Sequence, residues 1–176
     1  MDAITLLKAD HREVEKLFKA YEKLGEKADV TKERTAGEIV RLLSVHASIE
    51  EQVFYPAVRS EIPDLEGDVL EALEEHHVAK WVLSEIDGLG PDDERYDAKV
   101  TVLIESVRHH VEEEETEMFP AVRSALGRKR LGEIGERLEQ AKKTAPTKPH
   151  PRSSDTPPGN VLAAPIARLL DKVTGH

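Results

Sequence analysis

Apolar residues recur every three or four positions along the first 143 residues, which is the spacing of one helical face. In the first segment they are Ile4, Leu7, Val14, Leu17, Phe18 and Tyr21. Asp2 is placed to cap the N-terminus of this helix and Gly25 to end it. The same spacing predicts further helices over about 32–59, 64–87, 93–126 and 128–142. Four long helices with short connections predict an all-α fold, an antiparallel up-down-up-down four-helix bundle followed by a short fifth helix.

The pattern changes after residue 143. Residues 144–158 hold five of the ten prolines, which predicts a linker without regular structure. An apolar segment over 161–173 follows, with Pro165 near its first turn. It predicts either a short C-terminal helix docked on the bundle or a disordered tail. The expected organisation is therefore a bundle over 1–143 and a Pro-rich tail over 144–176.

Charge and composition exclude several classes of protein. The 35 acidic residues outnumber the 25 basic ones, giving a net charge of -10, which argues against non-specific binding to nucleic acid. The absence of cysteine excludes a disulfide scaffold, a thiolate zinc site and an iron–sulfur cluster. No secretory signal or membrane-length apolar run is present in the sequence. We therefore expect a cytoplasmic protein with no nucleic-acid or membrane partner.

The bundle sequence also repeats itself. Residues 46–60 recur 64 positions later as residues 110–124, with eight of fifteen positions identical, including a histidine, two glutamates and the ending Pro-Ala-Val-Arg-Ser. A weaker repeat relates Asp10-His11 to Glu75-His76, 65 positions apart. The bundle is therefore predicted to be a duplicated helical hairpin.

Histidines interrupt the apolar stripes of all four long helices. They are His11, His46, His76 and His110. Glu50 and Glu114 each follow a stripe histidine by four residues, so they lie on the same helical face. Counted along antiparallel helices, the histidines fall at one level of the bundle. Carboxylates buried beside imidazoles are costly unless they are paired or coordinated, so this pattern predicts a metal centre.

The predicted donors also indicate the kind of metal. Nitrogen and oxygen without sulfur suit iron, manganese or zinc. Two inward carboxylates in a helical bundle suit a bridged pair of ions. Four histidines, two bridging glutamates and one oxo or hydroxo bridge would fill about ten of twelve octahedral positions, leaving about two for exogenous ligands.

These residues resemble a known family. His11, His46-x-x-x-Glu50, His76 and His110-x-x-x-Glu114, with the Tyr-Pro and Phe-Pro endings, are similar to the hemerythrin-like (HHE cation-binding) domain, most of all to the mycobacterial hemerythrin-like proteins. The resemblance covers roughly residues 2–142. It implies two iron ions (Fe2+/Fe3+) that react with dioxygen, nitric oxide or peroxide. His11, His46, His76 and His110 would then be terminal ligands, and Glu50 and Glu114 would be bridges.

One position departs from the oxygen-carrying hemerythrins, which have a second histidine four residues after the first on the third helix. Lys80 stands there in this chain, and we expect its side chain to extend outward to solvent. The missing imidazole would leave an extra open metal position. This favours redox turnover or sensing over reversible carriage of oxygen.

Several assignments stay open in the sequence. Glu51 or Glu113 would replace a neighbouring glutamate, and His77 would replace His76, if the helical phase were different. Tyr55 precedes Pro56 and is either a packed aromatic residue or a catalytic phenol near the metal.

The sequence leaves three functions open. The leading one is redox chemistry or sensing of a small diatomic or peroxide ligand (O2, NO or H2O2). As an enzyme, the protein would be a peroxidase or catalase-like or nitric-oxide-handling oxidoreductase. The alternatives are an oxygen or iron binding or storage module without turnover and a metal-stabilised interaction protein. The electron donor is not indicated, and both a monomer and a dimer are compatible with the sequence.

Overall fold

The chain forms helices where the apolar spacing predicts them. The structure, a computed structural model, describes residues 1–174, apart from the side chains of residues 162 and 174. Its α-helices are α1 (Ala3–Tyr21), α2 (Asp29–Ile49), α3 (Tyr55–Glu61), α4 (Glu66–Asp87), α5 (Tyr96–Glu113), α6 (Phe119–Lys142) and α7 (Gly159–Thr174). The long helices form the antiparallel bundle expected from the sequence.

Local sequence explains where α1 begins and where α6 is interrupted. The Asp2 carboxylate accepts a hydrogen bond from the Thr5 N–H at 3.0 Å, so it is the predicted N-cap of α1. Gly127 has a φ of 69°, a left-handed conformation that glycine adopts without steric cost. This residue divides α6 into two limbs, which correspond to the end of the predicted fourth helix and the whole of the fifth.

Two π-helical turns interrupt the long helices, and the apolar spacing did not predict them. Glu50–Phe54 joins α2 to α3, and Glu114–Met118 joins α5 to α6. Each turn ends just before a proline-containing first turn, at Pro56 or Pro120. Proline has no N–H to donate to the carbonyl four residues earlier, so a regular α-helical ladder cannot run through these positions. The π turns therefore have a cause that is visible in the repeated sequence.

The core consists of two apolar clusters along the bundle axis. One contains Leu7, Phe54, Leu73, Phe119 and Ile134, and the other contains Phe18, Ile39, Leu83, Leu103 and Ile104. The histidines and glutamates named above lie in the layer between these clusters. Within the described residues, none of the helices has the length and apolar character needed to cross a bilayer.

The C-terminal segment packs on the bundle as a helix, which is the first of its two predicted alternatives. Asn160 at the start of α7 donates to the Glu51 carbonyl at 2.9 Å. The buried Asp171 carboxylate accepts from the backbone N–H groups of Thr147 and Lys148 at 2.6 and 3.0 Å. Ala145 is fully buried in the core, so packing against the bundle continues past residue 143.

Candidate metal centre

The six residues predicted as metal ligands lie together at the middle of the bundle. All are buried, with at most 7% of any of them exposed. Helices α1, α2, α4 and α5 each supply one histidine, and the two glutamates are the first residues of the two π turns. The predicted phases of these helices are therefore the observed ones.

The donor atoms form two adjacent groups that share Glu50. The first group is His11, His46, Glu50 and Glu114, and the second is Glu50, His76 and His110. The Nε2 atoms of His11 and His46 are 3.2 Å apart, and those of His76 and His110 are 3.1 Å apart. Two donors that bind one cation at right angles with bonds of about 2.1 Å are separated by about 3 Å. Each histidine pair is thus spaced to hold one metal ion.

Unpartnered carboxylate oxygens point to the same conclusion. Both oxygens of Glu50 and one oxygen of Glu114 (Oε2) are buried without a hydrogen-bond partner. Burial, followed by the nearby Glu114 charge, raises the pKa of Glu50 well above its ordinary value. Leaving such oxygens unsatisfied is costly, and a cation between the two groups would compensate them. The residues present therefore fit a pair of metal ions.

A second layer of carboxylates faces the outer nitrogens of the histidines. A carboxylate only accepts hydrogen bonds, so a neighbouring Nδ1 carries the proton and leaves the Nε2 lone pair directed at the centre. The Nδ1–oxygen distances are 2.9 Å for His11–Glu115, 3.2 Å for His76–Glu51 and 2.7 Å for His110–Glu75. His46 Nδ1 lies 3.6 Å from Asp10, an ion-pair contact that is too long for a hydrogen bond. Sequence reasoning did not assign this role to any of the four residues. The signal that could have found them is the repeat, which matches Asp10 with Glu75 and Glu51 with Glu115.

Burial affects the charge of the histidines. Desolvation lowers the pKa of His46 to about 4 and also lowers the pKa of His76. Burial acts in the same direction on His110, but the charges of Glu114 and Glu75 outweigh it and raise its pKa. His46 and His76 are therefore neutral near pH 7, which is the state in which imidazole binds a metal.

Lys80 is buried, so the expectation that it reaches solvent was wrong. Its exposed fraction is 8%, and Nζ donates to the two Glu51 oxygens at 2.9 and 3.1 Å. The physical reason is that the π turn Glu50–Phe54 places the Glu51 carboxylate within reach, so an ion pair compensates for the loss of water. Lysines also pair with two other outer carboxylates, Lys8 with Glu115 and Lys142 with Asp10. Among the described residues, Glu75 has no lysine or arginine partner.

Tyr55 reaches the centre, and it makes the two halves of the site different. Its buried hydroxyl donates to Glu114 Oε1 at 2.8 Å and lies 3.3 and 3.4 Å from the Nε2 atoms of His76 and His110. Burial, with the charges of Glu114 and Glu50, raises the pKa of Tyr55 well above its ordinary value, so the phenol keeps its proton. The equivalent residue of the repeat is Phe119, whose ring stacks on His11 with 5.8 Å between ring centroids. The phenol therefore lies beside the two histidines of the second group, whereas a phenylalanine ring stacks on His11 of the first.

The alternative ligands that the sequence left open lie outside the two ligand groups. His77 is exposed and accepts a hydrogen bond from Trp81 Nε1 at 3.2 Å. Glu51 faces the outer nitrogen of His76 instead of the centre. Glu113 is half-buried at the surface beside His109.

A small apolar cavity adjoins the histidines. It has a volume of about 40 Å³ and lies between α1, α2, α4 and α5. Its apolar walls come from Val14, Leu43, Leu83, Val107 and Val111, and all four site histidines also line it. A space of this size admits a molecule of two or three heavy atoms.

Comparison with known proteins identifies the family. The sequence matches the hemerythrin HHE cation-binding domain over residues 2–122. The chain belongs to this family. A hemerythrin HHE cation binding domain-containing protein from Mycobacterium kansasii has the same fold, with a TM-score of 0.68 and 22% identity over 81% of this chain and 88% of that one.

Two relatives are similar in sequence. An uncharacterized hemerythrin-like protein of Schizosaccharomyces pombe is 26% identical over 93% of this HHE chain and 80% of its own length. A protein of Nostoc sp. named DNA nickase is 29% identical over 81% of this chain. The present chain spans only 39% of the length of that Nostoc protein.

Proposed function

We propose that this HHE protein holds two iron ions and uses them in redox chemistry on a small oxidant such as peroxide, nitric oxide or dioxygen. The observation that carries the proposal is the pair of Nε2–Nε2 contacts on either side of Glu50, whose two buried oxygens have no hydrogen-bond partner. Nitrogen and oxygen donors without sulfur suit iron, and carboxylates shared between helices suit a pair of ions. Bound iron would supply a Lewis acid that also exchanges electrons.

The surrounding residues would prepare the centre for a small ligand. The outer carboxylates fix the histidine rings and keep Nε2 free of its proton. The apolar cavity beside the histidines would admit a diatomic or peroxide molecule and exclude most water. Tyr55 holds a proton within 3.4 Å of both histidines of the second group, so it is placed to donate to a ligand bound there.

We further propose that turnover is favoured over reversible carriage of oxygen. The second group offers two histidines and the shared Glu50, one protein ligand fewer than the first group. Lys80 occupies the position where a fifth imidazole would stand, and its ammonium is held by Glu51. The second metal position is therefore the open one, and a proton donor lies beside it.

The first test is the metal content of the protein purified after iron-replete expression. We expect about two iron ions per chain and strong absorption in the near ultraviolet. Stoichiometric zinc, or no metal, would contradict the redox function.

The second test follows the optical spectrum of the reduced, iron-loaded protein after separate addition of oxygen, peroxide and nitric oxide. We expect consumption of peroxide or nitric oxide over several cycles when a reductant is supplied. A stable oxygen adduct that releases oxygen on deoxygenation, without turnover of the other two, would identify a storage or carrier module instead. A metal-loaded protein inert to all three would support a purely structural metal.

A further inference from the structure

We propose that an acidic cleft between α4 and α5 is the route by which a divalent cation enters the centre, with a capture site at its mouth. The cleft is lined by the carboxylates of Asp68, Glu71, Glu75, Glu113 and Glu117 and has a volume of about 70 Å³. This inference rests on the proposed metal centre.

The floor of the cleft belongs to the centre itself. His110 and Glu114 line it together with the surface carboxylates. Glu114 is 2% exposed, and its Oε2 atom has no hydrogen-bond partner. A cation that moves down the cleft therefore reaches Glu114, whose buried Oε2 atom has no hydrogen-bond partner.

The charges around the centre are asymmetric in the way that an entry route requires. Lysines neutralise three of the four outer carboxylates, Asp10, Glu51 and Glu115. Glu75, the fourth, opens into the cleft without a lysine or arginine partner among the described residues, and its ion-pair partner is the imidazole of His110. No lysine or arginine lines this cleft. The local field therefore attracts cations here.

Two other openings near the centre contain basic as well as acidic side chains. The pocket under the C-terminal segment is lined by Lys80 and Lys148 together with Glu51. The groove that reaches His11 is lined by four basic and three acidic residues, Arg12, Lys16, Lys19, Arg108, Glu15, Glu112 and Glu115. A small cation approaching along either path passes ammonium or guanidinium groups, which do not occur in the acidic cleft.

A group of three potential ligands lies at the mouth. Glu75, His109 and Glu113 each offer a donor atom within 4.8 Å of the others. Glu75 also accepts a hydrogen bond from His110 Nδ1 at 2.7 Å, so one side chain connects this group to the centre. One imidazole and two carboxylates suit the same divalent metals as the centre. We assign this group as the capture site.

The test measures the rate at which the metal-free, full-length protein takes up Fe2+ without oxygen. Samples are quenched with excess chelator at successive times, and protein-bound iron is measured after desalting. Glu71→Gln/Glu117→Gln removes two cleft charges without touching the centre or the capture site. Glu13→Gln/Glu26→Gln is the matched control, since both residues are exposed and lie outside the cleft.

We expect the cleft variant to load iron at least about fivefold more slowly than wild type, and the control less than about twofold more slowly. Higher salt should slow wild type and control more than the cleft variant, because it screens the charges that attract the cation. Equal loading rates in the cleft and control variants would overturn the route. Failure of the wild type to bind iron would overturn the proposed function and the route together.

His109→Ala tests the capture site separately. His109 is 66% exposed at its side chain, so its removal does not disturb the core. We expect loading to slow by about threefold or more at low iron concentration, where capture limits the rate. An unchanged rate would overturn the capture site and leave the charged route in place.

Discussion

Lys80 shows how a residue outside the ligand set acts on the centre through a second side chain. Its ammonium binds both oxygens of Glu51, and Glu51 in turn accepts from the Nδ1 of His76. The residue that stands in place of a fifth imidazole therefore still acts on the centre, by fixing the carboxylate that orients a neighbouring histidine. Removing one partner of a buried ion pair leaves the other charge uncompensated.

Lys80→Met should therefore destabilise the fold, although methionine is similar in size to lysine. We expect the free energy of unfolding of the metal-free protein to fall by about 3 kcal/mol. Lys8→Met is the control, because Lys8 makes a comparable pair with Glu115 but is 34% exposed, and we expect it to cost about 1 kcal/mol or less. Urea denaturation measures both, and similar losses would contradict a special role for Lys80.

The Tyr55 hydroxyl should matter for reaction and not for metal binding. Tyr55→Phe should keep the iron content but lower the rate of peroxide consumption by about 100-fold, because the buried proton donor is lost. Tyr21→Phe is the control, since it removes another phenol, one bonded to Asp97 at 2.7 Å and far from the centre. Steady-state assays with peroxide compare the two variants. An unchanged rate in Tyr55→Phe would make Tyr55 a packing residue.

At the residue scale, the sequence predicts the inner part of the site better than the outer part. His11, His46, Glu50, His76, His110 and Glu114 are predictable because they interrupt apolar stripes in a repeated register. Lys80 was misplaced because its burial depends on a carboxylate from another helix. The spacing along α4 contains no information about that partner.

At the scale of elements, the two π turns change the helical phase between α2 and α3 and between α5 and α6, at the level of the metal centre. An i→i+5 hydrogen bond joins Tyr55 N–H to the Glu50 carbonyl, and the same bond joins Phe119 to Glu114. The extra residue lets Glu50 and Glu51 both be buried, one in the ligand group and one beside His76. A π turn cannot be read from apolar spacing, because it leaves the stripe nearly intact. The prolines that follow are the only local signal.

The phase of α4 leads to a direct prediction. His76→Ala should weaken iron binding by more than about tenfold, because its Nε2 lies 3.1 Å from that of His110 in the second ligand group. His77→Ala should keep both ions, because His77 is exposed and contacts Trp81. Iron per chain after dialysis against a chelator distinguishes the variants. Loss of iron from His77→Ala alone would contradict the proposed ligand set.

At the scale of the whole molecule, the C-terminal segment covers the Lys80–Glu51 pair. The pocket between them has a volume of about 40 Å³ and is lined by both residues together with Asn160 and His150. Among the residues that the structure describes, the tail supplies no donor to either ligand group. It therefore shields the outer layer of the site without belonging to the inner one.

Deleting residues 150–176 should keep about two iron ions per chain but release them faster. The deletion spares the buried Ala145, and it removes the Asn160 hydrogen bond to the Glu51 carbonyl. We expect a chelator to remove iron at least about threefold faster, because water then reaches the Lys80–Glu51 pair. Asn160→Ala removes this one hydrogen bond alone, so its rate of iron release shows how much of the effect comes from the bond and how much from the rest of the C-terminal segment. Protein that is already free of iron when purified would show that the tail closes the centre.

Two of the histidine–carboxylate hydrogen bonds around the centre join one repeat to the other, and this affects how the two repeats stay together. Glu115 of the second repeat orients His11 of the first, and Glu51 of the first orients His76 of the second. The ligand groups cross in the same way, since Glu114 completes the group of His11 and His46. A protease nick in the connection 62–65, between α3 and α4, would break no bond of the centre. The two fragments would then stay joined by the apolar clusters they share and by the shared ions, so a chelator would loosen their association without breaking the core contacts.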